Sequence, residues 1–117
     1  DGGFMFTVQE LATAVHHRIP LVTVVLDNAS YGNVKTIQAN SYGSRHIAVD
    51  LTNPDFVALG RSFGIESSRA DSLEAFGEAL VRALEADAPR LIVVPIGEVP
   101  SIWEMIKRPP SQGVPQR

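Results

Sequence analysis

Cysteine is absent from this chain of 117 residues, which excludes disulfides and thiolate metal sites. Long apolar runs are absent as well. None approaches the roughly 20 residues that a membrane-spanning helix needs, and no signal peptide is visible. Neither sign of charge dominates: 10 Lys and Arg stand against 13 Asp and Glu, a net charge of −3. The charges are mixed along the chain, without the basic stripe of a nucleic-acid binder. Neither nucleic acid nor a membrane is therefore expected as a partner, and the expected location is cytoplasmic. There are no internal repeats. An initiating Met is lacking too, and the chain opens inside what reads as a motif, so a further N-terminal part is expected. What remains is one domain's worth of residues. At 44% hydrophobic and 20% charged it can build a core.

The pattern alternates helices and strands. Thr7 and Glu10 have capping-box spacing, which predicts a helix through Leu11, Ala12, Ala14 and Val15. His16, His17 and Arg18 suit that helix's negative end, and Pro20 stops it. Residues 21–26 are apolar and β-branched, as in a parallel strand buried on both faces. A short helix is expected over residues 33–38, then a loop to Asp50. Asn53-Pro54 reads as an N-cap with proline at the first helical position. The helix it opens buries Phe56, Val57, Leu59 and Phe63 and ends at Gly64. Residues 65–69 suit a short strand. A helix starting at residues 71–74 carries the stripe Leu73, Phe76, Leu80, Val81 and Leu84. Residues 91–95 form a second buried strand. From Gly97 the tail is irregular, with one helical turn near Trp103 and Ile106.

This alternation predicts an α/β fold with a parallel sheet, whose ligands bind beyond the carboxyl ends of its strands. Two turns fall at that edge. One holds Asp1-Gly2-Gly3, the other Asn28 to Gly32, and Asp1 and Asn28 each offer a hard oxygen ligand. Glycine lets backbone N–H groups approach an anion closely. A divalent cation gripping a diphosphate is the chemistry such a pair suits.

Residues 1–11 (Asp-Gly-Gly-Phe-Met-Phe-Thr-Val-Gln-Glu-Leu), followed by Val24-Val25-Leu26-Asp27-Asn28 and Tyr31-Gly32, resemble the cofactor motif of thiamine-diphosphate enzymes. That motif is Gly-Asp-Gly, some two dozen residues, then Asn-Asn. The resemblance is to the acetolactate synthase-like group, which includes benzoylformate decarboxylase. In this chain the motif's first Gly is not present and its first Asn is Asp27.

The resemblance implies a three-layer sandwich, the thiamine-diphosphate-binding fold, with its first strand missing from this chain. The cofactor domain would span residues 1–96 and the C-terminal tail residues 97–117. Asp1, Asn28 and the Ser30 carbonyl would ligate Mg²⁺. Gly2 and Gly3 would meet the diphosphate, and Tyr31 and Gly32 would wall the thiazolium. The substrate would be a 2-oxo acid, and the reaction decarboxylation or carboligation. FAD in the parent enzyme stays open. The glutamate that activates the cofactor would belong to a different domain, usually of a neighbouring subunit, and the hydrophobic wedge would lie upstream of the Asp-Gly motif, so no catalytic residue is assigned. A homodimer or homotetramer is implied, and the fragment alone would be inactive.

Other polar residues have ordinary readings. His16 and His17 belong to a helix end away from the binding edge, and His46 lies in a loop without an evident partner. Trp103 and Met105 suit packing of the tail, Glu104 a surface position. Glu74, Glu78 and Glu85 line a solvated helix face. The alternative for the whole chain is a non-catalytic α/β module used for subunit association.

Overall fold

The computed structural model describes residues 1–99; the expected turn at Trp103 and the tail residues 100–117 lie outside them. Strands β1 (Val22–Asp27), β2 (Glu66–Arg69) and β3 (Arg90–Pro95) form a parallel sheet in the order β1-β3-β2. Val25 pairs with Val93, and Ser67 with Leu91. Helices lie on both faces, giving three layers. One face carries α1 (Gly2–Met5), α2 (Glu10–His16) and α4 (Phe56–Ser62), whose Phe4, Leu11 and Phe56 pack with Val25, Leu91 and Val93. The other carries α5 (Leu73–Glu85), whose Ala79 and Ala83 pack on Ile92 and Val94. Helix α3 (Gly32–Ser41) buries none of its residues.

The central strand behaves as its sequence predicts. Leu91, Ile92 and Val93 are all buried, because a parallel strand flanked on both faces needs apolar side chains in both directions. The expected burial of residues 21–26 on both faces is corrected. Val25 is buried in the core with Leu11 and Phe56, but Val24 and Leu26 are exposed, Leu26 by 51%. β1 stands at the sheet edge, and α5 reaches it only near Val22.

Two helix starts differ from expectation. No side chain caps α2, and coiling begins earlier, at Gly2, with Met5 N–H donating to the Asp1 carbonyl at 3.2 Å. Thr7 lies inside a run of turns joining α1 to α2, where its own carbonyl accepts from Glu10 N–H at 2.9 Å. The cap of α4 is Asp55 instead of Asn53; its Oδ1 accepts from Val57 and Ala58 N–H at 2.9 and 3.0 Å. Ser72, within the residues expected to start α5, caps it, and Gly64 adopts φ +81° after α4 as expected.

The expected stripe of α5 is also corrected. Phe76 and Leu80 face the sheet, together with Ala75, Ala79 and Ala83, but Leu73 and Leu84 are 79% and 68% exposed. Alanine at the contact lets the helix approach the sheet closely, so the larger side chains turn outward. On the other face Gly60 does the same: a Cβ there would collide with Ser67 Oγ and lie 2.5 Å from Leu91 Cδ2.

Candidate functional site

The carboxyl end of β1 organises the site. The carbonyls of Leu21 and Asp27 accept from Arg90 and Ile96 N–H, toward β3. Carbonyls alternate along a strand, so that of Leu26 points away from β3, and there it accepts from the backbone nitrogen of Asp1 at 2.8 Å. The turn at Asp1 and the turn after β1 are thereby neighbours at one end of the sheet.

The turn after β1 is tightly built. Asp27 Oδ1 accepts from Ala29 N–H at 3.1 Å, and Ala29 takes φ +51°. A non-glycine residue in that left-handed region is strained by about 1 kcal/mol or more, a cost that gathers at functional sites. Ser30 forms an isolated antiparallel bridge with Asp50. The bonds run from Tyr31 N–H to the Val49 carbonyl and from Leu51 N–H to the Ala29 carbonyl, each 2.8 Å. In that pattern the N–H and C=O of Ser30 itself point away from residues 49–51. Gly32 packs closely on this turn, since a Cβ there would lie 3.2 Å from Asn28 Nδ2.

Asn28, Ser30 and Gly32 line one cleft of about 460 Å³, with Lys35, His46 and Glu98 among its other walls. Asp1 is not among the residues lining it. The Asp1 carboxylate turns instead to Asn53, whose Nδ2 donates to Asp1 Oδ2 at 2.7 Å and to Asp27 Oδ1 at 2.8 Å. Asp27 and Asn53 line a second cleft of about 470 Å³. Adjacent residues at a strand end face opposite ways, which separates Asp27 from Asn28.

Gly2 is buried against a side chain. A Cβ there would lie 2.5 Å from Tyr31 Cε1, so Tyr31 closes over the Asp1 turn. Nothing lies within 4 Å of the Cβ position of Gly3, where backbone is open to approach. Lys35 Nζ donates to Asp50 Oδ1 at 2.8 Å. That bond, and then the charge attraction, holds the Asp50 carboxyl below its usual range and raises the Lys35 ammonium above its own. Gln38 pins the following loop through both its amide atoms to Ile47. The His16 and His17 rings stand edge to face at 4.7 Å, before the amino end of β1 and so away from the site.

No local sequence signal pairs Asn53 or Asp27 with Asp1, since Asn53-Pro54 has the pattern of a helix cap. Among the described residues no three His, Cys, Asp or Glu side chains cluster to hold an ion, and no helix is long and apolar enough to cross a membrane.

A parallel α/β sheet with two polar turns at the carboxyl end of its edge strand defines a ligand-binding class of fold. The particular family follows from comparison with known proteins. Residues 1–94 match the family described as thiamine pyrophosphate enzyme, C-terminal TPP binding domain, and the chain belongs to it. The acetolactate synthase isozyme 2 large subunit of Escherichia coli is 40% identical over 110 residues, covering 91% of this chain and 20% of that protein. The crystal structure of benzoylformate decarboxylase from Polynucleobacter necessarius superposes with a TM-score of 0.79 at 30% identity, over 85% of this chain and 19% of that one. A thiamine diphosphate-dependent 4-hydroxybenzoylformate decarboxylase from Rhodococcus jostii RHA1 gives 0.80 at 30% identity, over 86% and 19%. The chain spans about one fifth of the length of these relatives.

Proposed function

We propose that this domain anchors the diphosphate of thiamine diphosphate through Mg²⁺, as the C-terminal part of a larger enzyme acting on 2-oxo acids. The observation that carries the reading is the bond from Asp1 to Leu26, which sets the Asp1 turn beside the turn of Asn28 and Ser30. The donors fit the ion. A carboxylate, a carboxamide oxygen and a main-chain carbonyl are hard ligands, and Mg²⁺ is held by few protein oxygens plus substrate phosphates. The outward-pointing carbonyl of Ser30 supports its place in that set.

In this reading Asp1, Asn28 and Ser30 hold the cation. Gly2 and Gly3 offer backbone N–H groups to the diphosphate, while Tyr31 and Gly32 shape the wall beside it. When bound, the cofactor supplies the electron sink for chemistry at the 2-oxo acid carbonyl, and the protein binds and orients it. Decarboxylation and carboligation both remain within the proposal, because the matched relatives include a synthase and two decarboxylases. The parent is proposed to be a cytoplasmic homodimer or homotetramer, with the catalytic glutamate outside this chain. The chain alone should release no carbon dioxide from pyruvate with cofactor and Mg²⁺; measurable release refutes the division of labour.

Calorimetric titration of the parent protein with thiamine diphosphate tests the anchor itself. Heat that requires Mg²⁺ and is lost in Asp1→Ala and Asn28→Ala supports it. The exposed Leu26, Leu73 and Leu84 favour a second reading, a module for subunit association, which absence of any cofactor heat would support.

A further inference from the structure

We infer that Asn53 is a positioning residue that aims the Asp1 carboxylate at the cation by holding one of its oxygens. The inference rests on the reading of Asp1 as a magnesium ligand. Asn53 Nδ2 donates to Asp1 Oδ2 at 2.7 Å and to Asp27 Oδ1 at 2.8 Å, with Asn53 half-buried. Both protons of one amide are thus spent on two carboxylates, and hydrogen bonds to ionised acceptors are the strong kind. Among the described residues, the side-chain hydrogen bonds to the Asp1 carboxylate use Oδ2, which leaves Oδ1 for a ligand.

The chain around Asn53 is built to keep that amide in place. Pro54 restricts the backbone of the residue before it to extended conformations. Asp55 is locked as the cap of α4. The first residue of α4, Phe56, stacks edge to face on Phe4 at 5.6 Å, next to Gly3. The segment carrying Asn53 is therefore braced on α4 behind it and on α1 beside it, and α1 begins immediately after Asp1. Glutamine would set its amide one methylene too far, and a hydroxyl would supply a single proton for two acceptors.

The bridge also brings two like charges together. A carboxylate pair sharing one amide is a favourable place for a cation, since each negative charge lowers the energy of a positive one nearby. Asp27 thus contributes field and orientation without itself being a ligand. It is locked by two donors, Asn53 and the N–H of Ala29.

The test is Mg²⁺ titration of the parent protein at saturating thiamine diphosphate, with melting of the metal-free protein measured beside it. Partners that orient a metal ligand typically change affinity by about 10- to 100-fold when removed. Asn53→Ala should raise the apparent Mg²⁺ dissociation constant by about that factor, with the metal-free melting temperature nearly unchanged. If Asp1→Ala and Asn28→Ala weaken binding but Asn53→Ala does not, this inference is overturned and the ligand assignment stands. If none of the three changes binding, both fall. Should Asn53→Ala fail to fold, the wild-type protein with ¹⁵N-labelled asparagine decides. Two inequivalent, slowly exchanging Asn53 amide protons that shift on Mg²⁺ addition support positioning; rapidly exchanging protons that ignore the metal overturn it.

Discussion

The backbone nitrogen of Asp1 lies 2.8 Å from the carbonyl oxygen of Leu26, on the edge of β1 that faces away from β3. This one bond carries the opening residues to the carboxyl end of the sheet. It joins two turns that are distant in sequence. Asn53 then reaches across to both Asp1 and Asp27.

Packing of α4 on the sheet depends on the absent side chain at Gly60. Gly60→Ala places a methyl against Ser67 Oγ and Leu91, both buried. Overpacking of this kind costs about 1–3 kcal/mol. Urea unfolding should show a lower midpoint with an unchanged slope. A midpoint equal to wild type would mean that α4 sits farther from β2 and β3.

The two faces of α5 should respond in opposite ways. Ala83 is buried against the sheet while Leu84 faces outward. Ala83→Leu is expected to destabilise by about 1–3 kcal/mol. Leu84→Gln should change stability by no more than about 0.5 kcal/mol, as exposed substitutions usually do. The reverse ranking in denaturant unfolding would restore the stripe expected from the sequence.

The Lys35–Asp50 pair steadies the segment that pairs with Ser30. Asp50 is held below its usual value of 3.8 and Lys35 above 10.5. The Asp50 contribution is therefore complete above the usual carboxylate range and lost as pH falls through its lowered value. The Lys35 contribution is complete below the usual lysine value and lost only as pH rises past its raised one. Both side chains meet solvent, so the effect should be local. Between pH 5 and pH 9 the Tyr31 and Leu51 amides should keep the same protection from hydrogen exchange after correction for intrinsic rates. Asp50→Asn should reduce that protection, and no reduction would remove the pair from the loop's support.

Much of this architecture was legible where one local signal acted without competition. Residues 91–95 formed an apolar run with no rival interpretation. The start of α5 lay within residues 71–74 as read, and Gly64 took the left-handed position after α4. The misses share a different physics. Asn53 and Asp55 both have side chains suited to cap a helix; α4 starts at Phe56, which makes Asp55 the cap, and Asn53 is engaged by two carboxylates from far along the chain. Thr7 had the spacing of a cap, but coiling from Gly2 had already begun and used its carbonyl inside a turn. On α5 the periodicity of large residues was visible, while the advantage of alanine at a close helix–sheet contact was not. In β1, sequence revealed a parallel strand but not its place at the edge. At the candidate site the motif marked the turns of Asp1, Asn28 and Ser30; the residue that ties Asp1 to Asp27, Asn53, depends on tertiary contact.

The most direct measurement replaces Mg²⁺ by Mn²⁺ and locates it by anomalous diffraction in crystals of the parent protein with thiamine diphosphate. The account predicts one peak bonded to an Asp1 carboxylate oxygen, the Asn28 amide oxygen and the Ser30 carbonyl, in the octahedral arrangement that Mg²⁺ prefers. A peak that touches Asp1 or Asn28 but not both, or one lying at the other end of the sheet, would contradict it.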